Sequence, residues 1–253
     1  MTHSNKCILK SQCKQADSPT CTPICGHYIA IHGTSGSGGR IGSANIPADY
    51  RRVTVENSAV RANQPQAYKL LDAYVATFER MFSASDERIK SAYLWSESPG
   101  TGKTTTACGL LNTYLITHYI GSIKRGLTPL QRPVYMLDLN EWQTLYNEFN
   151  RSKVPEHIAE PAAEKYYTAL KLAQDTPFVV LDDLAVRTPT EGFRADLHSI
   201  INARVTGKLP TVYTSNLPNI ELATIFGEQR LADRIRDMTV EIAFEGTSRR
   251  GKR

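Results

Sequence analysis

Three groups of residues in this chain have types and spacings suited to chemistry. The first is Ser96-Glu97-Ser98-Pro99-Gly100-Thr101-Gly102-Lys103-Thr104-Thr105. Gly100 and Gly102 let the backbone turn its N–H groups inward with no Cβ in the way. A helix starting near Gly102 would aim its positive end at the same point. Lys103 could then reach the β and γ phosphates of a nucleoside triphosphate, and the Thr104 hydroxyl could ligate Mg²⁺. Pro99, Gly100, Thr101, Gly102, Lys103, Thr104 and Thr105 are therefore the expected nucleotide-contacting positions. One position departs from the phosphate-loop pattern G-x-x-x-x-G-K-[ST]: Glu97 stands where that pattern has glycine.

The second group follows two later runs that read as strands. Phe178-Val179-Val180-Leu181 leads into Asp182-Asp183, and Thr211-Val212-Tyr213-Thr214 leads into Ser215-Asn216. An apolar strand ending in an acid is what a Mg²⁺–nucleotide site needs. Asp182 is expected to hold the metal, Asp183 to polarise the attacking water, and Asn216 to orient that water or sense the γ phosphate. The third group is Cys7, Cys13, Cys21 and Cys25, with His27 and His32 close behind. The cysteines are separated by five, seven and three residues, which is not a common finger spacing. In a reducing compartment, four thiolates, or three plus His27, would complete a tetrahedral Zn²⁺ site that staples a segment with little core of its own. Free or disulfide-forming thiols are the alternative.

These groups need elements to position them. A strand is expected at 92–95 before the glycine loop, and a helix at 107–119 after it. Further strands are read at 134–137, 178–181, 211–214 and 240–244. Helices are read at 66–81, 141–149, 159–172, 193–205, 221–226 and 228–236, from apolar residues recurring on one face. Strands alternating with helices give an α/β fold, a five-stranded parallel sheet with helices on both faces. The site residues then gather at the carboxyl ends of the strands. The stretch 33–42, Gly-Thr-Ser-Gly-Ser-Gly-Gly-Arg-Ile-Gly, is expected to be a flexible loop or linker. The chain divides accordingly into a cysteine-rich module at 1–32, a linker at 33–45 and a nucleotide domain at 46–253.

Composition sets looser bounds. The net charge is +5, and Arg249, Arg250, Lys252 and Arg253 supply four of the positive charges. That allows a nucleic-acid partner, or only a solubilising tail. No secretory leader is legible at the start, and no run is long and apolar enough to span a bilayer, so a cytoplasmic protein with no membrane partner is expected.

At this level the chain resembles the AAA+ ATPases, and more narrowly the DnaC/DnaI-type replicative helicase loaders of bacteria and phages. The resemblance covers roughly 46–253. It rests on Pro-Gly-Thr-Gly-Lys-Thr-Thr (99–105), Val-Val-Leu-Asp-Asp-Leu (179–184), Leu-Pro-Thr-Val-Tyr-Thr-Ser-Asn-Leu (209–217) and Gln-Arg-Leu-Ala-Asp-Arg-Ile (229–235). It implies an AAA+ P-loop domain that binds ATP and Mg²⁺, self-associates through that domain, and helps place the replicative DNA helicase on single-stranded DNA. Arg234, with Arg230 as second choice, matches the arginine that reaches a neighbouring subunit's nucleotide. Asp183 stands where many AAA+ proteins have glutamate, so hydrolysis could be slow. The helices between the second and third strands correspond to where this clade meets single-stranded DNA, with Arg151, Lys153, Lys165 and Lys171 as candidates. The chain ends soon after Phe244, leaving no room for the helical lid of many AAA+ proteins, a truncation the loaders share. A transposition-helper ATPase acting on duplex DNA and an ATP-gated adaptor with little hydrolysis are the alternatives. A small-molecule kinase is disfavoured because no arginine-rich acceptor lid is legible.

Overall fold

The computed structural model describes residues 3–83, 87–184, 189–227 and 229–248, with Thr224, Ile225 and Arg230 described by their backbone alone. Its centre is one parallel sheet. The strands are β1 (Ser91–Trp95), β2 (Val134–Asp138), β3 (Phe178–Asp182), β4 (Thr211–Ser215) and β5 (Thr239–Ala243), in the spatial order β2-β3-β4-β1-β5. β3 and β4 are buried along their whole length, which is why β3 reads as an unbroken apolar run rather than as alternation. All five expected strands form.

Helices cover both faces. One carries α3 (Pro65–Ala76) and α4 (Lys103–Lys124), whose Leu71, Leu110, Leu111 and Leu115 pack with Ala92 and Leu94 of β1. The other carries α5 (Leu139–Asn150), α6 (Glu156–Asp175), α7 (Glu191–Thr206), α8 (Leu222–Phe226) and α9 (Gln229–Met238), packed on Tyr93, Val179, Leu181 and Tyr213. The expected helix at 66–81 changes to a 3-10 turn over its last residues, Thr77–Phe82.

The chain leaves β1 into a helix on one face and leaves its neighbour β4 into helices on the other. Adjacent strands whose connections diverge open a crevice at their carboxyl ends, the place where ligands enter such sheets. That edge lies just past Ser96 and Ser215, whose backbones are joined by a hydrogen bond of 3.3 Å.

The glycine-rich stretch differs from expectation. It is not an irregular linker: α1 (Gly26–His32) precedes it, and α2 (Gly39–Ser43) forms inside it. Ile31, Ile41, Ala44 and Ile46 are buried in the same core as β1 and α4. Arg40 is buried too, donating to the carbonyls of Ala30, Pro129 and Leu130 at 2.8–3.0 Å. The glycines serve close approach instead of freedom. Gly39 has φ 59°, and a Cβ there would lie 2.6 Å from the Ile31 carbonyl oxygen. Ile8 and Leu9 join this core, so the cysteine-bearing front packs against the sheet domain.

Candidate nucleotide-binding site

The glycine loop joins β1 to α4. Its left-handed residues are Gly100, φ 71°, and Gly102, φ 106°. Gly102 is doubly required, because a Cβ there would meet Val60 at 2.5 Å. Glu97 is exposed and does not take a positive φ, so the glycine missing from the pattern leaves no backbone strain. α4 begins at Lys103, beside Gly102 as expected and ahead of the apolar segment 107–119, which brings its N-terminus to the loop.

The Lys103 side chain is buried in the crevice. Its Nζ donates to Asn216 Oδ1 at 2.8 Å, and to the carbonyls of Ser98 and Ser96 at 3.2 and 3.4 Å. The lysine of the first motif and the asparagine after β4 are thus in direct contact. Thr104 Oγ1 lies 3.1 and 3.0 Å from the two carboxylate oxygens of Asp182. Asp182 is 4% exposed and also accepts from Thr214 Oγ1 at 2.6 Å. Burial pushes its carboxyl up to about 6, while the Thr214 and Thr104 hydroxyls pull it down. A metal would bind its ionised form. A hydroxyl and a carboxylate are hard oxygen donors suited to Mg²⁺.

Asp183 is held separately. Its φ is 67°, unusual for a residue other than glycine. Its N–H donates to Thr214 Oγ1 at 2.8 Å, and its Oδ2 accepts from Asn140 Nδ2 at 2.9 Å. The Thr214 hydroxyl thereby fixes both acids. The sequence reading missed Thr214 and Asn140. For Thr214 the missing signal is strand register: Leu181 pairs with Tyr213, so the next residues, Asp182 and Thr214, fall side by side. No spacing points to Asn140, which sits two residues past the end of β2 after the helix-capping Asp138.

The other candidates are spread over the surface. Arg234 on α9 is exposed and donates to Asn202 Oδ1 at 2.9 Å. Asp233, a possible partner for it, is instead taken by Gln229 and Arg236. The Arg230 side chain lies outside the described residues, as does the basic tail at 249–253. Arg151, Lys153, Lys165 and Lys171 are all exposed, between the end of α5 and α6.

Cys7, Cys13, Cys21, Cys25 and His27 line one cavity of about 310 Å³, together with His3. All four cysteines are free thiols. Burial raises the Cys7 pKa. Among the described residues, however, no three His, Cys, Asp or Glu side chains are grouped so as to hold a metal ion. His27 Nδ1 is engaged by the Tyr119 hydroxyl at 3.0 Å. His32 stands apart: its Nε2 accepts the Ile8 N–H at 3.1 Å, and burial lowers its pKa to about 4, so it is a neutral structural group. His3 Nε2 is buried with no hydrogen-bond partner among the described residues.

No protein-family model matches this chain, and no curated protein matches it. Solved structures do. The structure of DnaI superposes with a TM-score of 0.56 at 21% identity, covering 83% of this chain and 100% of that one. The DnaC helicase loader gives 0.53 at 19% identity, covering 79% and 100%. AMPPCP-bound DnaA from Aquifex aeolicus gives 0.50 at 15% identity, covering 79% and 51%. This chain shares its fold with DnaI and the DnaC helicase loader. Among the described residues no helix is long and apolar enough to cross a membrane.

Proposed function

We propose that this chain is an ATP-dependent loader that binds the replicative DNA helicase and helps place it on single-stranded DNA. The observation that carries the reading is the crevice at the carboxyl ends of β1, β3 and β4, where Lys103 meets Asn216 and Thr104 meets Asp182. The fold shared with DnaI and the DnaC helicase loader gives that site its context.

In this reading the triphosphate takes the place of the carbonyls and Asn216 around Lys103 Nζ. The lysine charge then faces phosphate oxygens, and Asn216 is released toward the γ phosphate. Mg²⁺ held by Thr104 and Asp182 would neutralise charge on the phosphates. Asp183, oriented by Asn140, polarises water. Its short side chain and its tie to Asn140 favour slow turnover, so ATP acts as a switch more than as a fuel. Arg234 is free of its acidic neighbour Asp233 and exposed for a second copy of the chain, in keeping with self-association through the ATPase domain. Arg151, Lys153, Lys165 and Lys171 form the proposed surface for single-stranded DNA, through phosphate contacts. Capture of the replicative helicase from the source cell on tagged protein with ATP tests the reading. Its recovery supports the loader. Recovery of a transposase with duplex DNA instead would replace it.

We further propose that residues 1–32 act as a recognition module stapled by Zn²⁺ at Cys7, Cys13, Cys21 and Cys25, with His27 as substitute ligand. The support is that all four cysteines line one cavity. Metal binding would require the side chains to converge from their present positions and to lose the thiol protons. Elemental analysis should find about one zinc per chain, lost in a Cys21→Ala/Cys25→Ala double variant. Metal-free protein would leave the four as free thiols. Deleting the module is a poor test, because Ile8, Leu9 and Ile31 belong to the common core.

A further inference from the structure

We infer that Gln64 is a positioning residue for the nucleotide loop, aiming the Gly102 N–H at the phosphates. The inference rests on the nucleotide reading of the crevice. Gln64 lies outside every motif, at the residue before Pro65, where α3 begins. It is nonetheless 7% exposed, unusual burial for a glutamine.

Its carboxamide is fully engaged. Nε2 donates to the Glu245 carbonyl at 2.7 Å, and Oε1 accepts the Glu245 N–H at 3.1 Å. Only one orientation of the amide satisfies both groups. That orientation leaves the second Nε2 hydrogen facing the Thr101 carbonyl, at 3.5 Å. Thr101 is itself 5% exposed. In a trans peptide the carbonyl and the following N–H point in opposite directions. A Thr101 carbonyl turned toward Gln64 therefore turns the Gly102 N–H away from it, to the phosphate side of the loop.

The backbone of Gln64 is equally fixed. Its carbonyl accepts the Tyr68 N–H at 2.9 Å, and the Tyr68 hydroxyl bridges Ser58 Oγ, at 2.7 Å, and Thr106 Oγ1, at 3.0 Å. Val60 presses on Gly102 from the same segment. The segment 58–68 thus grips the glycine loop and the first turn of α4 at three points. Gln64 also grips Glu245, two residues past the end of β5. Setting the loop's N–H direction before ligand arrives removes an ordering cost from binding.

The test is a Mg-ATP titration of the full ¹⁵N-labelled chain, read at the Gly102 amide, for wild type, Gln64→Met and Gln64→Glu. Methionine keeps the volume and removes the donor. Glutamate keeps an acceptor for the Glu245 N–H but sets a negative charge against two carbonyls. In wild type the Gly102 amide should shift strongly on binding. In Gln64→Met that shift should collapse and affinity should fall about 10-fold, the effect of about one hydrogen bond. Gln64→Glu should lose more, and it gives the reading if Gln64→Met is too unstable to titrate. A merely structural Gln64 would lower the melting temperature and leave the bound-state Gly102 shift intact, and that result overturns the inference while the nucleotide reading stands. A wild-type chain whose Gly102 amide ignores ATP overturns both.

Discussion

Arg204→Met should melt on the order of 10 °C below wild type, a larger stability loss than any other single substitution argued here. Arg204 has no exposed surface, yet it carries a guanidinium. Its Nε donates to Thr211 Oγ1 at 2.7 Å. Its Nη atoms reach the carbonyls of Ala173, Thr176 and Pro210 at 2.8 Å, and that of Pro177 at 3.3 Å. Burial lowers its pKa to about 10, so it stays charged at neutral pH. These carbonyls lie just ahead of β3 and β4, so one side chain ties the entry of both strands to the end of α7. Asp182 and Thr214 sit at or near the opposite ends of the same strands. Methionine would fill the volume and leave several buried carbonyls with no donor, at a cost of about 3–5 kcal/mol. Arg204→Lys should recover only part of this, since an ammonium cannot fork among carbonyls on several sides. A thermal scan decides. Equal melting temperatures for wild type and Arg204→Met would show that water replaces the guanidinium without loss.

Arg234→Ala should keep ATP binding and lose DNA-stimulated hydrolysis by about 10³-fold or more, the scale of an arginine finger in related chemistry. A lone subunit leaves one side of its γ phosphate without a cation as transition-state charge builds. Arg234 is exposed, is always charged and can grip two phosphate oxygens at once. Its bond to Asn202 is weak enough at the surface to be given up. Mixing Arg234→Ala with Lys103→Ala should restore some turnover, because one mixed interface joins an intact loop to an intact arginine. Normal turnover by Arg234→Ala alone, with no gain on mixing, would make Arg234 a surface partner of Asn202 only.

The strands and the long helices were legible because burial on one face or two writes itself as period and run length. The placing of Lys103, Asp182 and Asn216 at one edge was legible for a related reason: each lies past the end of a run that reads as a strand, and parallel strands put all such ends together. What escaped the sequence depends on partners far along the chain. The stretch 33–42 reads as flexible because glycine usually means freedom. Here α1 and α2 touch so closely that a Cβ at Gly39 would collide with backbone. Arg204 continues the apolar stripe of Ile200 and Ile201, yet a charge there reads as solvent-facing until five acceptors are found around it. Thr214, Asn140 and Gln64 act through hydrogen bonds set by strand register and by chain crossings, and no local spacing encodes those. Glu97 reads as a defect in the loop, but its position takes no left-handed conformation, so the loop closes without glycine there.

The most direct measurement is equilibrium binding of Mg-ATP to the purified full chain and to Lys103→Ala. Lys103 Nζ sits 2.8 Å from Asn216 and at the mouth of a helix N-terminus, the position from which its charge would meet the phosphates. Removing a charge-assisted hydrogen bond of that kind should weaken binding about 10- to 100-fold, with magnesium required for full affinity. Equal affinity in the two proteins, or no saturable binding by wild type, would contradict the assignment of this crevice to ATP.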